Sequence, residues 1–145
     1  MQTNQKHIYA IGDVIGKSML AHAASHHGKI AVENIMGNPV KTEDSIIPAG
    51  IFTVPEIGRV GITEEQARFQ SMQIRIGKFR AMALGKAHTD GHCAGLFKVI
   101  ADAETDRILG VHIVGEHAAD LIHEAAIAMQ LGGTAKALAD RKSVG

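Results

Sequence analysis

The sequence Gly37-Asn38-Pro39, with the polar segment that follows it from Val40 to Ser45, constrains the fold more than any other feature of this chain. Gly and Asn favour a helix C-terminus and Pro cannot continue a helix, so this tripeptide predicts a helix end. The residues before it predict a strand at His7–Ile11 and a helix from about Met19 to Met36. The residues after it follow another pattern. We therefore expect two parts, residues 1–45 and residues 46–145.

The second part consists mostly of short β-prone runs separated by turns. Thr63 and Gln66 have the spacing of a capping box, which predicts the start of a short helix. Residues 81–95 are rich in Gly and His and are expected to be irregular. We expect strands at Ile46–Phe52, Ile57–Ile62, Met72–Phe79, Leu96–Ala101 and Ile108–Val114, and helices at residues 64–70, at 118–131 and from Thr134 to near Lys142. This order predicts an α+β fold, a mostly antiparallel sheet with helices on one face, preceded by a strand–helix unit.

Composition excludes several classes of partner. Lys and Arg number 15 and Asp and Glu number 15, so the formal net charge is zero and no strong field attracts nucleic acid or an anionic membrane. Aromatic residues are 3% of the chain and Trp is absent, which leaves little for base stacking. The polar start, Met1 to Lys6, is unlike a signal peptide, and no apolar run approaches the ~20 residues of a membrane span. A single cysteine, Cys93, favours a reducing, cytoplasmic compartment.

Two short motifs in the first part have the chemistry of a ligand site. In Tyr9-Ala10-Ile11-Gly12-Asp13 an apolar run leads to a Gly and then a carboxylate, at the strand edge where open α/β sheets bind ligands. In Met19-Leu20-Ala21-His22 the open amides of a helix start can hold an electronegative ring edge. Each motif also has a simpler interpretation, a turn Asp that caps the next segment and the first turn of an amphipathic helix. Taken alone, each motif favours the simpler one.

Histidine pairs four residues apart raise the possibility of metal binding. His22 and His26 form one pair and His88 and His92 the other, with Cys93 adjacent to the second. Neither pair has a helical carboxylate in the third-ligand position, so solvent-facing histidines are favoured and no metal ligand is assigned. Cys93 and His92 are neighbours that would point opposite ways in a strand, so we interpret the thiol as incidental. The sequence contains no G-x-G-x-x-G dinucleotide motif and no cysteine pair.

Taken together and in order, the motifs resemble the pyridine nucleotide–disulfide oxidoreductases. The segment from His7 to Val14, followed by Met19–Ala24, resembles the end of the family's FAD domain. The segments that resemble its interface domain are Ile51–Ile57, Val60–Glu64, Phe97–Asp102, Ile108–Gly115 and Ala119–Ala126. The resemblance covers residues 7–139 and is nearest to the dihydrolipoamide dehydrogenase branch.

The resemblance implies roles for five residues. Asp13 would bind the ribityl chain of FAD, and Met19, Leu20, Ala21 and His22 would lie against the flavin. Residues 1–45 would be the end of an FAD-binding domain plus a linker, and residues 46–145 a dimerisation domain truncated at its C-terminus. The N-terminal FAD-binding half, the redox disulfide, the NAD domain and the later His-Pro-Thr…Glu segment are not in the sequence, so no catalytic residue is assigned.

The function expected from this resemblance is that of a dimerisation-domain fragment, inactive alone and without its own cofactor. The parent enzyme would use FAD and NAD⁺ to oxidise a dihydrolipoyl group carried by a protein, and this chain would form a homodimer. Two alternatives stay open. One is a stand-alone module that binds a full-length reductase, and the other is a histidine-based metal protein.

Overall fold

A computed structural model describes residues 1–41 and 44–140. The chain forms two compact units, Met1–Asp44 and Ser45–Gly145. None of the helices among the described residues is long and apolar enough to cross a membrane.

The first unit is built on one long helix. Helix α1 spans Ala21–Ile35, and its buried side includes Ala23, Ile30 and Ala31. A short 3-10 helix, Gly12–Ile15, precedes it and contacts it. The helix at Met19–Met36 is therefore confirmed with slightly narrower bounds, and it ends at the predicted break.

The expected strand at His7–Ile11 is wrong. These residues form a single bridge, Gln2 with Tyr9, instead of a ladder. A β-prone run is stable as a strand only when a neighbouring strand satisfies its amides and carbonyls along its length. Here Ile8 and Ala10 make three backbone hydrogen bonds, all to residues 1–5. The composition of this run favours an extended backbone, but it does not indicate whether a partner strand is present.

Among its described residues, the second unit contains five strands and four α-helices. In chain order they are β1 Ala49–Ile51, β2 Ile57–Gly61, α2 Glu64–Phe69, β3 Ile74–Arg80, α3 Gly85–Asp90, β4 Leu96–Asp102, β5 Ile108–Val114, α4 Ala118–Gln130 and α5 Ala135–Ala139. The strands form an antiparallel sheet in the order β1-β2-β5-β4-β3. Its central hairpin pairs β4 with β5, the two strands expected at Leu96–Ala101 and Ile108–Val114. The α+β fold with a mostly antiparallel sheet is thus confirmed.

Helix α4 covers the sheet and closes the core. It lies along β1, β2 and β5, and its inward side chains include Ile122 and Met129. Val60, Val111 and Ile113 meet them from the sheet. Gly58 on β2 allows this close approach, because a Cβ there would lie 2.3 Å from the carbonyl oxygen of Ala118.

Local signals fixed several element boundaries. The capping box is present as expected: the Thr63 hydroxyl accepts from the Gln66 amide at 3.1 Å, and the Gln66 side chain accepts from the Thr63 amide at 2.8 Å. Thr134 caps α5 by accepting from the Ala137 amide, and α5 ends at Ala139, so the expected end near Lys142 falls outside the described residues.

The segment at residues 81–95 is more ordered than expected. It contains a 3-10 turn at Ala81–Ala83 and the short helix α3. Gly85 begins α3 and Gly91, at φ 77°, ends it in the left-handed conformation. The glycines that suggested irregular structure are the boundaries of a helix, and Gly at a helix end is a stop signal.

Candidate functional site

In the first unit, the structure brings the segment of Asp13 onto helix α1. Asp13 lies in the 3-10 helix with its side chain exposed. The preceding Gly12 has φ 73°, and a Cβ there would lie 3.2 Å from the Cβ of Ala24 on α1. Glycine therefore allows Asp13 to sit close to the first turns of the helix.

The start of α1 offers open amides and exposed side chains. Its N-cap residue is Leu20, whose side chain cannot accept a hydrogen bond. Met19 is 72% exposed, and Ala21 and His22 are also exposed. An exposed carboxylate can accept hydrogen bonds from hydroxyl groups, and the open amides of a helix start can donate to an electronegative ring edge. The sequence has no G-x-G-x-x-G loop of the kind that binds the phosphates of a dinucleotide.

The histidines of α1 point in different directions. His22 and His26 are exposed, whereas His27 is fully buried. The Nε2 atom of His27 lies 3.1 Å from Asp44, and Lys17 bonds the other carboxylate oxygen at 3.2 Å. Partial burial raises the pKa of Asp44, but hydrogen bonds from Lys17 and His27 outweigh it and hold that pKa below its ordinary value. The contact with Asp44 accounts for the Nε2 atom of this buried ring, whereas its Nδ1 atom is buried without a hydrogen-bond partner among the described residues. Within residues 1–41 and 44–140, no three His, Cys, Asp or Glu side chains are grouped to hold a metal ion.

In the second unit, an apolar groove lies between α4 and α5. It has a volume of about 390 Å³, and we call it the α4–α5 groove. Ile127 lies on α4 and is 62% exposed, and Leu131, the residue that ends this helix, is 80% exposed, whereas the opposite side of α4 is part of the core. The residues lining the groove are Glu124, Ile127, Ala128, Leu131, Gly133, Thr134, Ala137 and Leu138. Exposed apolar side chains that line one groove are typical of a surface that binds another protein.

A second cavity lies beside Cys93, and the sequence did not predict it. The thiol Sγ lies 3.5 Å from Nδ1 of His88 on α3. His92, the neighbour considered from sequence, turns away and its Nε2 lies 3.3 Å from Glu116. His88 lies on α3 and Cys93 follows the end of this helix. Sequence reasoning missed the pair because it did not predict α3.

Comparison with known proteins identifies the second unit. Residues 47–143 match the family model described as the pyridine nucleotide-disulphide oxidoreductase dimerisation domain. A dihydrolipoyl dehydrogenase of Bacillus subtilis (strain 168) is 48% identical over 134 residues, which are 92% of this chain and 28% of that protein. The mitochondrial dihydrolipoyl dehydrogenase of Caenorhabditis elegans is 44% identical over 138 residues, 95% of this chain and 28% of that protein.

Solved structures of longer proteins contain the same fold. LpdA of Mycobacterium tuberculosis superimposes with a TM-score of 0.87 at 28% identity, over 99% of this chain and 31% of that chain. RclA of Escherichia coli, a HOCl-induced flavoprotein disulfide reductase, gives a TM-score of 0.81 at 26% identity, over 96% of this chain and 32% of that chain. The chain spans less than a third of the length of each of these proteins. Its sequence and its fold place it, as the region that contains the dimerisation domain, in the pyridine nucleotide-disulphide oxidoreductase family.

Proposed function

We propose that this chain acts as the self-association region of a dihydrolipoyl dehydrogenase-type disulfide reductase. The observation that carries the proposal is the α4–α5 groove, a concave apolar surface with Ile127 and Leu131 exposed on a domain whose family model is named for dimerisation. A second copy of the chain is the occupant that this domain favours. Obligate homodimers commonly bury more than ~2,000 Å², and their interfaces are apolar like the core.

Substitution in the groove tests this surface. Leu131→Asp places a charge on a side chain that is 80% exposed in the monomer, so folding should be retained while the buried dimer contact is lost. Light scattering over a concentration series should then give a monomer for the variant and a dimer for the wild type. Phe69→Asp is the matched control, since Phe69 is 91% exposed on α2. If the Leu131→Asp protein dimerises as the wild type does, the groove is not the dimer contact.

We further propose that residues 1–45 are the end of an FAD-binding domain, with 46–145 as the dimerisation domain. Asp13 would accept hydroxyls of the ribityl chain, and Met19, Leu20, Ala21 and His22 would lie against the flavin. The exposure of Asp13 and the open start of α1 support these roles. The chain lacks a phosphate-binding loop, so we expect the purified protein to show no flavin absorption. A flavin spectrum that persists through gel filtration would contradict this.

The parent activity we propose is NAD-linked oxidation of protein-bound dihydrolipoamide through FAD, in the cytoplasm. The names of the relatives from Bacillus subtilis and Caenorhabditis elegans support the substrate class. The single cysteine of this sequence cannot form the internal disulfide that such a reductase cycles, so we expect the isolated chain to be inactive. Measurable oxidation of NADH with lipoamide by the pure protein would overturn that expectation.

A further inference from the structure

Cys93 and His88 form a thiol–imidazole pair of defined orientation. The Cys93 Sγ lies 3.5 Å from His88 Nδ1, and the opposite ring nitrogen, Nε2, lies 2.7 Å from the carbonyl oxygen of Met82. A carbonyl oxygen can only accept a hydrogen bond, so Nε2 must carry the proton. In the neutral ring Nδ1 is then an acceptor 3.5 Å from the thiol sulfur, nearer to it than the carbonyl oxygen of Ala87, which lies 3.7 Å away. A nucleophile, a base and a third group that orients the base is the arrangement of an activated nucleophile.

The thiol of this pair borders a cavity of about 390 Å³. Cys93 lines it together with Thr53–Glu56, Gly91–His92, Ala94 and Glu116. Two carboxylates, Glu56 and Glu116, belong to this wall, and no Lys or Arg is among these lining residues. His92 is the only basic side chain among them, and it contacts Glu116. The wall therefore favours a small cation over a small anion.

We propose that Cys93 is a modification site at which small cationic disulfides form a mixed disulfide. The Cys93 sulfur attacks one sulfur of the disulfide while the thiol proton passes to Nδ1 of His88. A new S–S bond forms, the S–S bond of the ligand breaks, and the leaving sulfur takes the electron pair of the broken bond and then the proton from His88. One disulfide replaces another, so no further oxidant is needed. None of the residues that line this cavity lines the α4–α5 groove.

The rate of mixed-disulfide formation tests the proposal. Cystamine is the cationic probe and 3,3′-dithiodipropionate an anionic probe of similar size, each scaled to its own rate with N-acetylcysteinamide at neutral pH. Mass spectrometry of the intact wild-type chain follows the adduct. We expect Cys93 to react with cystamine about tenfold faster than the reference thiol, and to prefer cystamine over the anionic probe. A wild-type rate no higher than the reference, or no charge preference, would overturn the proposal without any variant.

Paired histidine variants then identify the base. His88→Gln should bring the cystamine rate down to that of the reference thiol. His92→Gln is the matched control and should stay fast, because His92 contacts Glu116 and not the thiol. Circular dichroism melting establishes that both variants are folded. Equal rates for His88→Gln and the wild type would assign the reactivity to something other than this pair and so contradict the mechanism.

Discussion

At the scale of single residues, Gly58 determines how closely α4 approaches the sheet. A Cβ at this position would lie 2.3 Å from the Ala118 oxygen and 2.9 Å from the Cβ of Ile122. We expect Gly58→Ala to lower the free energy of unfolding by about 1–3 kcal/mol, as overpacked core sites do. Gly77→Ala on β3 is the matched control, because nothing lies within 4 Å of a Cβ there. Urea unfolding of both variants measures this, and equal midpoints would contradict the close packing.

Asp102 is a second residue whose role can be measured. It begins the hairpin turn, and its Oδ1 accepts from the Thr105 amide at 2.7 Å, from the Thr105 hydroxyl at 2.8 Å and from the Glu104 amide at 3.1 Å. The backbone and side-chain hydrogen bonds of Thr105 hold the pKa of Asp102 below its ordinary value of 3.8. The charged form is therefore favoured in the folded state.

The direction of the pH dependence follows from that lowered pKa. The stabilisation is complete above pH 3.8 and is lost as the pH falls below that value through the folded pKa. We expect the wild type to be more stable than Asp102→Asn at neutral pH, and the two urea midpoints to converge as the solution is acidified below pH 4. Midpoints that stay a constant distance apart over this range would show that the charge of Asp102 does not stabilise the turn.

At the scale of elements, the sequence predicted a helix boundary correctly where the residues that form the boundary are close together in the chain. The Thr63–Gln66 box fixed the start of α2 and the break at Gly37-Asn38-Pro39 marked the end of α1. The run at His7–Ile11 failed because a strand needs a distant partner that composition does not reveal. Helix α3 was missed because its boundary glycines resemble loop residues. The Cys93–His88 pair was not predicted either, since it is α3 that places His88 beside the thiol.

The capping box gives a prediction for α2. Thr63→Ala should destabilise the second unit by about 1 kcal/mol, since the Gln66 amide loses its acceptor. Thr63→Ser keeps the hydroxyl and should restore most of that loss. Thermal unfolding of the three proteins compares them. An alanine variant as stable as the serine variant would mean that the box is not needed.

Substitutions on the two sides of α4 should have different effects, one on folding and the other on association. Ile122 is fully buried in the core, whereas Ile127 lies in the α4–α5 groove and is 62% exposed. Ile122→Ala should cost about 2–5 kcal/mol of unfolding free energy. Ile127→Ala should leave the stability of a dilute monomer nearly unchanged and weaken the dimer. Unfolding measured at two protein concentrations distinguishes a loss of monomer stability from a loss of dimer. A large decrease in stability of Ile127→Ala at low concentration would contradict the assignment of Ile127 to the surface of α4.

At the scale of the whole molecule, the family assignment and the proposed function rest on different evidence. Motif order in the sequence was enough to indicate the dimerisation domain, and the match over residues 47–143 and the solved structures confirm it. Association depends on contacts between two copies of the chain, so it is a property to be measured in solution. The groove indicates where such a partner would bind, and its apolar lining indicates what kind.

Sedimentation equilibrium of the purified chain at micromolar concentration shows whether the chain associates with itself. We expect a mass of twice the chain's 15.4 kDa, reached without flavin or any added protein. The dimer should dissociate on dilution or on substitution of Leu131. A single 15.4 kDa species that persists to tens of micromolar would contradict the claim that this chain associates with itself through the α4–α5 groove.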